Sequence, residues 1–158
     1  MTKVNLIAEP GKQEIVMTRV FDAPRELVFK TCTDPKLIPR WWGPRIYKTT
    51  VDKMDVKPGG IWRFVQRGTD GKAFAFHGVY HSVAPSEGLV YTFEFEGMPG
   101  HVLLETVTFE EQDGKTKMTT WDVFQTLEDR DGMLKSGMEG GAAETMDRFA
   151  ELLRELQK

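Results

Sequence analysis

The sequence predicts an α+β fold in which a curved antiparallel sheet of about seven strands grips one long C-terminal helix. Apolar residues recur every three or four positions through residues 136–156, as on one face of an amphipathic helix. Turn residues interrupt most of the preceding chain, as in a meander of strands. Because the helix and the sheet must each bury an apolar face, the simplest arrangement lays the helix across the sheet.

The bulk composition predicts one globular domain. A chain of 158 residues can bury a sizeable core, and we expect a single domain over 1–158, with a loosely held arm at 1–12 and a core at 13–157. The net charge of -3 argues against a dedicated nucleic-acid binder. Cys32 is the only cysteine, and no apolar run is long enough to span a membrane, so we expect a cytoplasmic protein.

The N-terminal part predicts one strand followed by two short helices. Gln13–Asp22 is rich in β-branched and apolar residues, which is typical of a strand. A first helix then begins near Pro24, with Asp22 as its expected cap, since proline fits the first helical turn. Asp34 begins the second short helix, which runs toward Trp41.

Six further strands are predicted in the middle of the chain. They cover Ile46–Val56, Ile61–Arg67, Ala73–Val83, Leu89–Phe95, His101–Glu110 and Thr116–Phe124. The second of these strands places Trp62, Phe64 and Gln66 on one face. Residues 129–134 are interpreted either as a short helix or as a loop.

The long helix is expected to begin at Ser136, which forms a capping box with Glu139. Three glycines near its start, Gly137, Gly140 and Gly141, weaken that end of the helix. They predict either a hinged lid over a cavity or tight packing against a tryptophan of the sheet, Trp62 or Trp121.

Four stretches, in this order, resemble a known family. They are Phe21–Phe29, Asp34-Pro35 with Trp41–Pro44, Val56–Phe64, and Gly137–Gly141 with Asp147–Phe149. The first resembles the START-like (Bet v 1-like, SRPBCC) superfamily, and the others resemble its branch named after the activator of the Hsp90 ATPase. The resemblance implies a helix-grip fold with a cavity that holds hydrophobic ligands or, in some members, hosts catalysis. Family members often carry Gly-Trp near the start of the long helix, where this chain has Gly140-Gly141-Ala142, so the missing ring could widen the cavity or another side chain could fill its place.

Aromatic residues of the predicted strands and of the first helices are the main candidates for ligand contacts. The full set is Trp41, Trp42, Trp62, Phe64, Phe76, His77, Tyr91, Phe93, Trp121 and Met138. Each could instead be ordinary core, and Trp41 and Trp42 are interpreted either as a lip at the cavity mouth or as a core plug.

Several polar residues have two possible roles. His77 and His81 lie four apart on a predicted strand, about 13 Å from each other, so they cannot share a metal ion. His77 is a candidate cavity base, or else it is solvent-facing. Asp122 is either a carboxyl with a raised pKa on the concave face or an outward, solvated group. Arg63 is either a carboxylate clamp or a surface charge.

Three functions are compatible with this pattern. The first is binding of a small apolar molecule, a lipid, polyketide or aromatic compound, between sheet and helix. The second is a cyclase- or hydrolase-type enzyme that uses His77, Asp122 or Tyr91 as acid–base groups. The third is a stress- or chaperone-associated protein. No cofactor or metal is expected, because no phosphate loop, dinucleotide fingerprint or ligand cluster is present. An exposed sheet edge could support a homodimer.

Overall fold

Eight antiparallel strands form one sheet in the computed structural model, which describes residues 3–158. The strands are β1 (Asn5–Ile7), β2 (Glu14–Phe21), β3 (Lys48–Met54), β4 (Ile61–Arg67), β5 (Ala73–Ala84), β6 (Gly88–Phe95), β7 (Val102–Gln112) and β8 (Lys115–Phe124). Their spatial order is β1-β2-β8-β7-β6-β5-β4-β3. The predicted helix-grip α+β fold is confirmed, with one strand more than expected.

The additional strand lies in the predicted N-terminal arm. Leu6 of β1 is paired with Met17 of β2, so the arm is hydrogen-bonded to the sheet edge from Asn5 to Ile7. A loosely held arm was therefore the wrong interpretation for this segment, because three residues are too few to show a strand period in the sequence. The first two residues of the predicted arm, Met1 and Thr2, lie outside the described residues.

Three α-helices and a single 3-10 turn cover one side of the sheet. They are α1 (Arg25–Thr33), the 3-10 turn Ile38–Arg40, α2 (Leu127–Lys135) and α3 (Met138–Leu156). The second predicted short helix is thus only one turn long. Pro24, with extended backbone, occupies the cap position of α1, so the expected cap at Asp22 is wrong. The ring of Pro24 fixes its φ at -68°, a value compatible with the start of a helix, and no side chain caps α1.

The junction between α2 and α3 differs from the predicted capping box. Gly137, at φ 85°, is the cap of α3, whereas Ser136 ends α2 and donates its hydroxyl hydrogen bond to the Met133 carbonyl at 2.6 Å. The capping box fails because a left-handed turn, which favours glycine, joins two consecutive helices here. Residues 129–134 are helical, and the Thr126 hydroxyl caps α2 by accepting from the Asp129 N–H at 3.0 Å.

The core lies between the concave face of the sheet and α3. Phe149 of α3 is fully buried, with its ring 5.0 Å from that of Phe21 and 4.7 Å from that of Trp41. Such edge-to-face contacts add to the burial of large apolar area. None of the described helices combines the length and the hydropathy needed to cross a membrane.

Polar contacts fasten α3 to the loop that follows the 3-10 turn. Arg148 donates to the Gly43 carbonyl at 2.6 Å, and Arg45 forms an ion pair with Glu151. The side chain of Glu144 also accepts the Arg45 N–H at 2.9 Å. These contacts hold the helix over the sheet without filling the space beneath its first half.

Candidate functional site

A cavity of about 330 Å³ lies between the concave face of the sheet and the first half of α3. The helix contributes Met138, Gly141, Ala142, Thr145 and Met146 to its wall. The sheet contributes aromatic and aliphatic side chains together with a few polar ones. A smaller cavity of about 90 Å³ shares lining residues with the first, including Trp42, Tyr91 and Glu105. Both cavities belong to one apolar interior that a small molecule can occupy.

Three polar side chains stand side by side on the concave face. Tyr91 of β6 is directly paired with Glu105 of β7, and Glu105 is directly paired with Asp122 of β8. Because side chains alternate between faces along a strand, directly paired residues point to the same side. The cross-strand register therefore brings one residue from each of three strands to the cavity wall. We call Tyr91, Glu105 and Asp122 the polar row.

Hydrogen bonds connect the polar row. The Tyr91 hydroxyl donates to Oε2 of Glu105. The carboxyl group of Asp122 is the direct cross-strand neighbour of the Glu105 carboxyl group, and a hydrogen bond between the two needs a proton on one of them. Asp122 is only 5% exposed, and its Oδ1 has no hydrogen-bond partner among residues 3–158. Glu105 is the central acceptor of the row and lines both cavities.

Burial controls the protonation of the row. Burial raises the pKa of Asp122 well above its ordinary value, and the neighbouring charge of Glu105 raises it further. Burial, again followed by Glu105, raises the pKa of the Tyr91 phenol. Both shifts favour the protonated forms of Asp122 and Tyr91, in which each group can donate a hydrogen bond.

A second buried polar group, Arg19 of β2, lines the same cavity. Its Nη1 donates to Oδ1 of Asp147 on α3 at 2.8 Å, and its guanidinium carbon lies 5.3 Å from the Phe21 ring centroid. Arg19 is 4% exposed, and its Nε and Nη2 have no hydrogen-bond partner in the described part of the chain. Arg19 is paired with Met118, four residues from Asp122 on β8, so the two positions lie roughly 13 Å apart along the sheet.

Eight of the ten predicted contact residues line a cavity. Trp41, Trp42, Phe76, Tyr91, Phe93 and Met138 line the larger one, and Trp62 and Phe64 line the smaller one. Trp41 is 7% exposed and donates to the Thr31 carbonyl at 3.0 Å, so it is core as well as wall. Trp42 is partly buried and packs edge-on against Phe64 and Phe76.

Trp121 and His77 lie on the outer face, so their assignment to the cavity was wrong. Trp121 is 45% exposed and donates to a carboxylate oxygen of Glu14. His77 contacts Glu96 and Glu94, with Nδ1 2.9 Å from Glu96 Oε2. In both cases the neighbouring residues of the strand face inward, and the period of two sends these side chains outward.

Arg63 is a surface charge, as one of its two interpretations predicted. Its Nε and Nη2 donate to the carboxylate of Glu96 at 2.8 and 3.0 Å, and Nη1 donates to Asp52. These contacts lower the pKa of Glu96 to about 2. The expectation that Asp122 is outward and solvated was wrong. The histidines, His81 among them, do not form a metal site: no three potential ligands in the part of the chain that the structure describes are placed to hold a metal ion.

The glycines of α3 do not pack against the sheet. A Cβ at position 140 would meet no atom within 4 Å, and one at position 141 would meet only Pro44, at 3.9 Å. Tight packing against Trp62 or Trp121 was therefore the wrong explanation for Gly140 and Gly141. Since sterics do not require glycine at either position, their effect is to weaken the helix segment above the cavity.

Sequence reasoning did not identify Glu105 or Arg19 as site residues. Glu105 lies between Leu103 and Val107, two buried residues of the same parity on β7, and that alternation was the available indication. Arg19 is likewise flanked at a spacing of two by Met17 and Phe21. A charged residue at an inward position of an alternating strand is the pattern to look for.

Comparison with known proteins supports the fold over nearly the whole chain. The profile of the family described as "Activator of Hsp90 ATPase homolog 1-like protein" matches residues 22–154. A protein from Arthrobacter aurescens, solved by NMR in solution, is 24% identical with a TM-score of 0.88, over 96% of this chain and 91% of that one. A crystal structure from Rhodobacter sphaeroides is 23% identical with a TM-score of 0.89, over 97% and 99% of the two chains.

A third solved structure, from Staphylococcus epidermidis, is 26% identical with a TM-score of 0.80, over 93% of each chain. No curated protein matches the sequence significantly. The structural likenesses define the architecture, and the chemistry of the cavity has to be argued from the residues of this chain.

Proposed function

This chain belongs to the activator of Hsp90 ATPase homolog 1-like family, and we propose that it binds a small, mostly apolar molecule between the sheet and α3. The observation that carries the proposal is the cavity of about 330 Å³, which matches the size range of small-molecule sites. Few polar groups interrupt its apolar wall, and these are the groups that would orient a ligand.

The wall favours a flat or aromatic ligand. Trp42, Phe76, Tyr91 and Phe93 all line the cavity, and Phe76 and Phe93 lie with their rings 5.5 Å apart. Aromatic side chains offer large rigid surfaces for ring stacking and edge contacts. We therefore propose an aromatic or polyketide-like ligand rather than a flexible acyl chain. The homodimer and the cytoplasmic location remain expectations from the sequence.

A cavity-filling variant tests the proposal. The ligand probe is N-phenyl-1-naphthylamine, a neutral dye whose fluorescence rises in an apolar site. Ala142 lines the cavity, so A142W places an indole inside it, whereas E139W adds the same ring at an exposed position of α3. We expect saturable binding by the wild type and by E139W, and at least about tenfold weaker binding by A142W. Equal binding by A142W would refute a ligand site between sheet and helix.

A further inference from the structure

The polar row is an unusual component of an apolar cavity. Burying a carboxyl group is costly unless its hydrogen bonds are satisfied. Asp122 is 5% exposed, lines the cavity, and has an Oδ1 atom with no partner in the described residues. A row that served only to stabilise the fold would leave no buried acceptor unused. The unsatisfied atom therefore indicates a ligand group.

The hydrogen bonds within the row determine what that group must be. A carboxylate has about four acceptor sites, and the Tyr91 hydroxyl occupies one of those of Glu105. Acceptor capacity therefore remains on a residue that lines both cavities, and Oδ1 of Asp122 is a second acceptor without a partner in the described residues. Tyr91 already directs its proton to Glu105. The row thus offers acceptors to the cavity, and its ligand must supply the donor.

The charge of the row limits the ligand further. A ligand carboxylate would be repelled by the Glu105 carboxylate, at close range and in a medium of low polarity. The Tyr91 hydroxyl already donates to that carboxylate, which reduces the need for a cation. Arg19, the cation on the same wall, lies roughly 13 Å away along the sheet and is paired with Asp147. A neutral donor fits best.

We propose that Tyr91, Glu105 and Asp122 recognise a hydroxyl group on an aromatic ligand, so that the natural ligand is a phenol or an aryl alcohol. The ligand hydroxyl lies between the two carboxyl groups and donates a bifurcated hydrogen bond, shared by Glu105 and the otherwise unpartnered Oδ1 of Asp122. The inference rests on the proposed ligand-binding function and specifies which ligands the cavity prefers. Ligand recognition would also explain why Glu105 and Asp122 line the cavity, which the packing of the core does not explain.

A pair of matched ligands tests the inference. Naphthalene and 2-naphthol differ by one hydroxyl group, and their affinities can be measured by tryptophan fluorescence or calorimetry. A hydrogen bond to a charged group predicts about tenfold tighter binding of 2-naphthol by the wild type. E105Q should reduce that preference to about twofold or less. E110Q, which changes an exposed glutamate of β7, should keep it.

The binding measurements distinguish a failure of hydroxyl recognition from a failure of the proposed ligand-binding function. Equal affinity of the wild type for both compounds would refute hydroxyl recognition and leave the ligand-binding function intact. Failure of both compounds to bind would refute the function and the inference together. An unchanged preference in E105Q would exclude Glu105 as the acceptor. Tighter binding of 2-naphthoate than of 2-naphthol would show that the row recognises an anion and not a hydroxyl group. Tighter binding of 2-naphthylmethylammonium would show that it recognises a cation.

Infrared spectroscopy tests the protonation of the row without any ligand. A protonated carboxyl group has a carbonyl band separate from that of carboxylates. We expect this band at neutral pH in the wild type and in E110Q, its loss in D122N, and a shift when 2-naphthol binds. A wild-type spectrum without the band, or a D122N spectrum that retains it, would refute the protonated Asp122 that favours a neutral donor over a cation.

Discussion

Gly78 makes room for the indole ring of Trp62. The two residues are directly paired across β4 and β5, and the Trp62 ring donates to the Thr92 carbonyl at 3.2 Å. A Cβ at position 78 would lie 2.6 Å from Trp62 Nε1 and 1.8 Å from the Thr92 oxygen. The absent side chain is therefore what allows the aromatic wall to pack on β5.

The first prediction concerns this close approach. G78A should lower the free energy of unfolding by about 1–3 kcal/mol, because the methyl group forces the ring and the neighbouring strand apart. Urea denaturation followed by tryptophan fluorescence measures the change. G132A, at a glycine without a positive φ where a Cβ meets nothing within 4 Å, controls for the replacement of glycine itself. A G78A protein at least as stable as G132A would contradict the steric explanation.

The second prediction concerns the weakened start of α3. G140A should stabilise the protein by about 0.5–1 kcal/mol, since the added methyl group has open space and alanine is the better helix former. Thermal or urea denaturation measures the gain. In the wild type, the amides of residues 138–145 should also exchange hydrogen faster than those of 146–155. Equal protection along the helix would show that its first half is not easily opened.

The third prediction concerns the pH dependence that Asp122 imposes. Its pKa is raised in the folded protein above the ordinary value of 3.8, so the folded state holds the proton over a range in which the unfolded chain releases it. The stability of the wild type relative to D122N should therefore be greatest below about pH 4 and fall as the pH rises toward neutrality.

Urea denaturation at several pH values compares the two proteins. D113N, in the exposed turn between β7 and β8, controls for the removal of a charge. A difference between wild type and D122N that stays constant from about pH 4 to about pH 7 would contradict the buried, protonated state.

The fourth prediction concerns the outer face. Arg63 lowers the pKa of Glu96 to about 2, so this ion pair stabilises the fold above the ordinary carboxyl range and is lost as the pH falls from about 4.5 to about 2. R63M should therefore be less stable than the wild type at pH 7, with the difference shrinking in acid. R67M, at an exposed position of the same strand, is the matched control. A deficit independent of pH would indicate lost packing instead.

The sequence was sufficient to predict most of the fold because its turns delimit the strands. Pro58-Gly59 and Asp70-Gly71 bracket β4, and Trp62, Phe64 and Gln66, which the alternation placed on one face, are all buried. Tyr91 and Phe93, two of the predicted contact residues, both line the cavity. At these positions the alternation of side chains and the flanking turn residues indicate the same strands.

The predictions failed where the residue type favours one face of a strand and the strand pairing puts the side chain on the other. Tryptophan is expected inside and aspartate outside, but β8 places Trp121 outward and Asp122 inward. Its pairing with β7 sets that parity, because Met118 and Phe124 of β8 both face the core and are separated from Asp122 by even numbers of residues. The residue type alone does not reveal a polar side chain that faces inward, whereas its parity with the buried residues of the same strand does.

The division of the cavity wall between sheet and helix has a kinetic consequence. The groups that recognise a ligand hydroxyl are fixed in the hydrogen-bonded ladder of β6, β7 and β8, whereas the segment covering them carries Gly140 and Gly141. The rate of capture should then depend on helix opening and the residence time on the polar row. In stopped-flow experiments with 2-naphthol, G140A should slow association, and E105Q should speed dissociation. The association and dissociation rates can thus be changed separately, and G140A changes the first without touching the ligand.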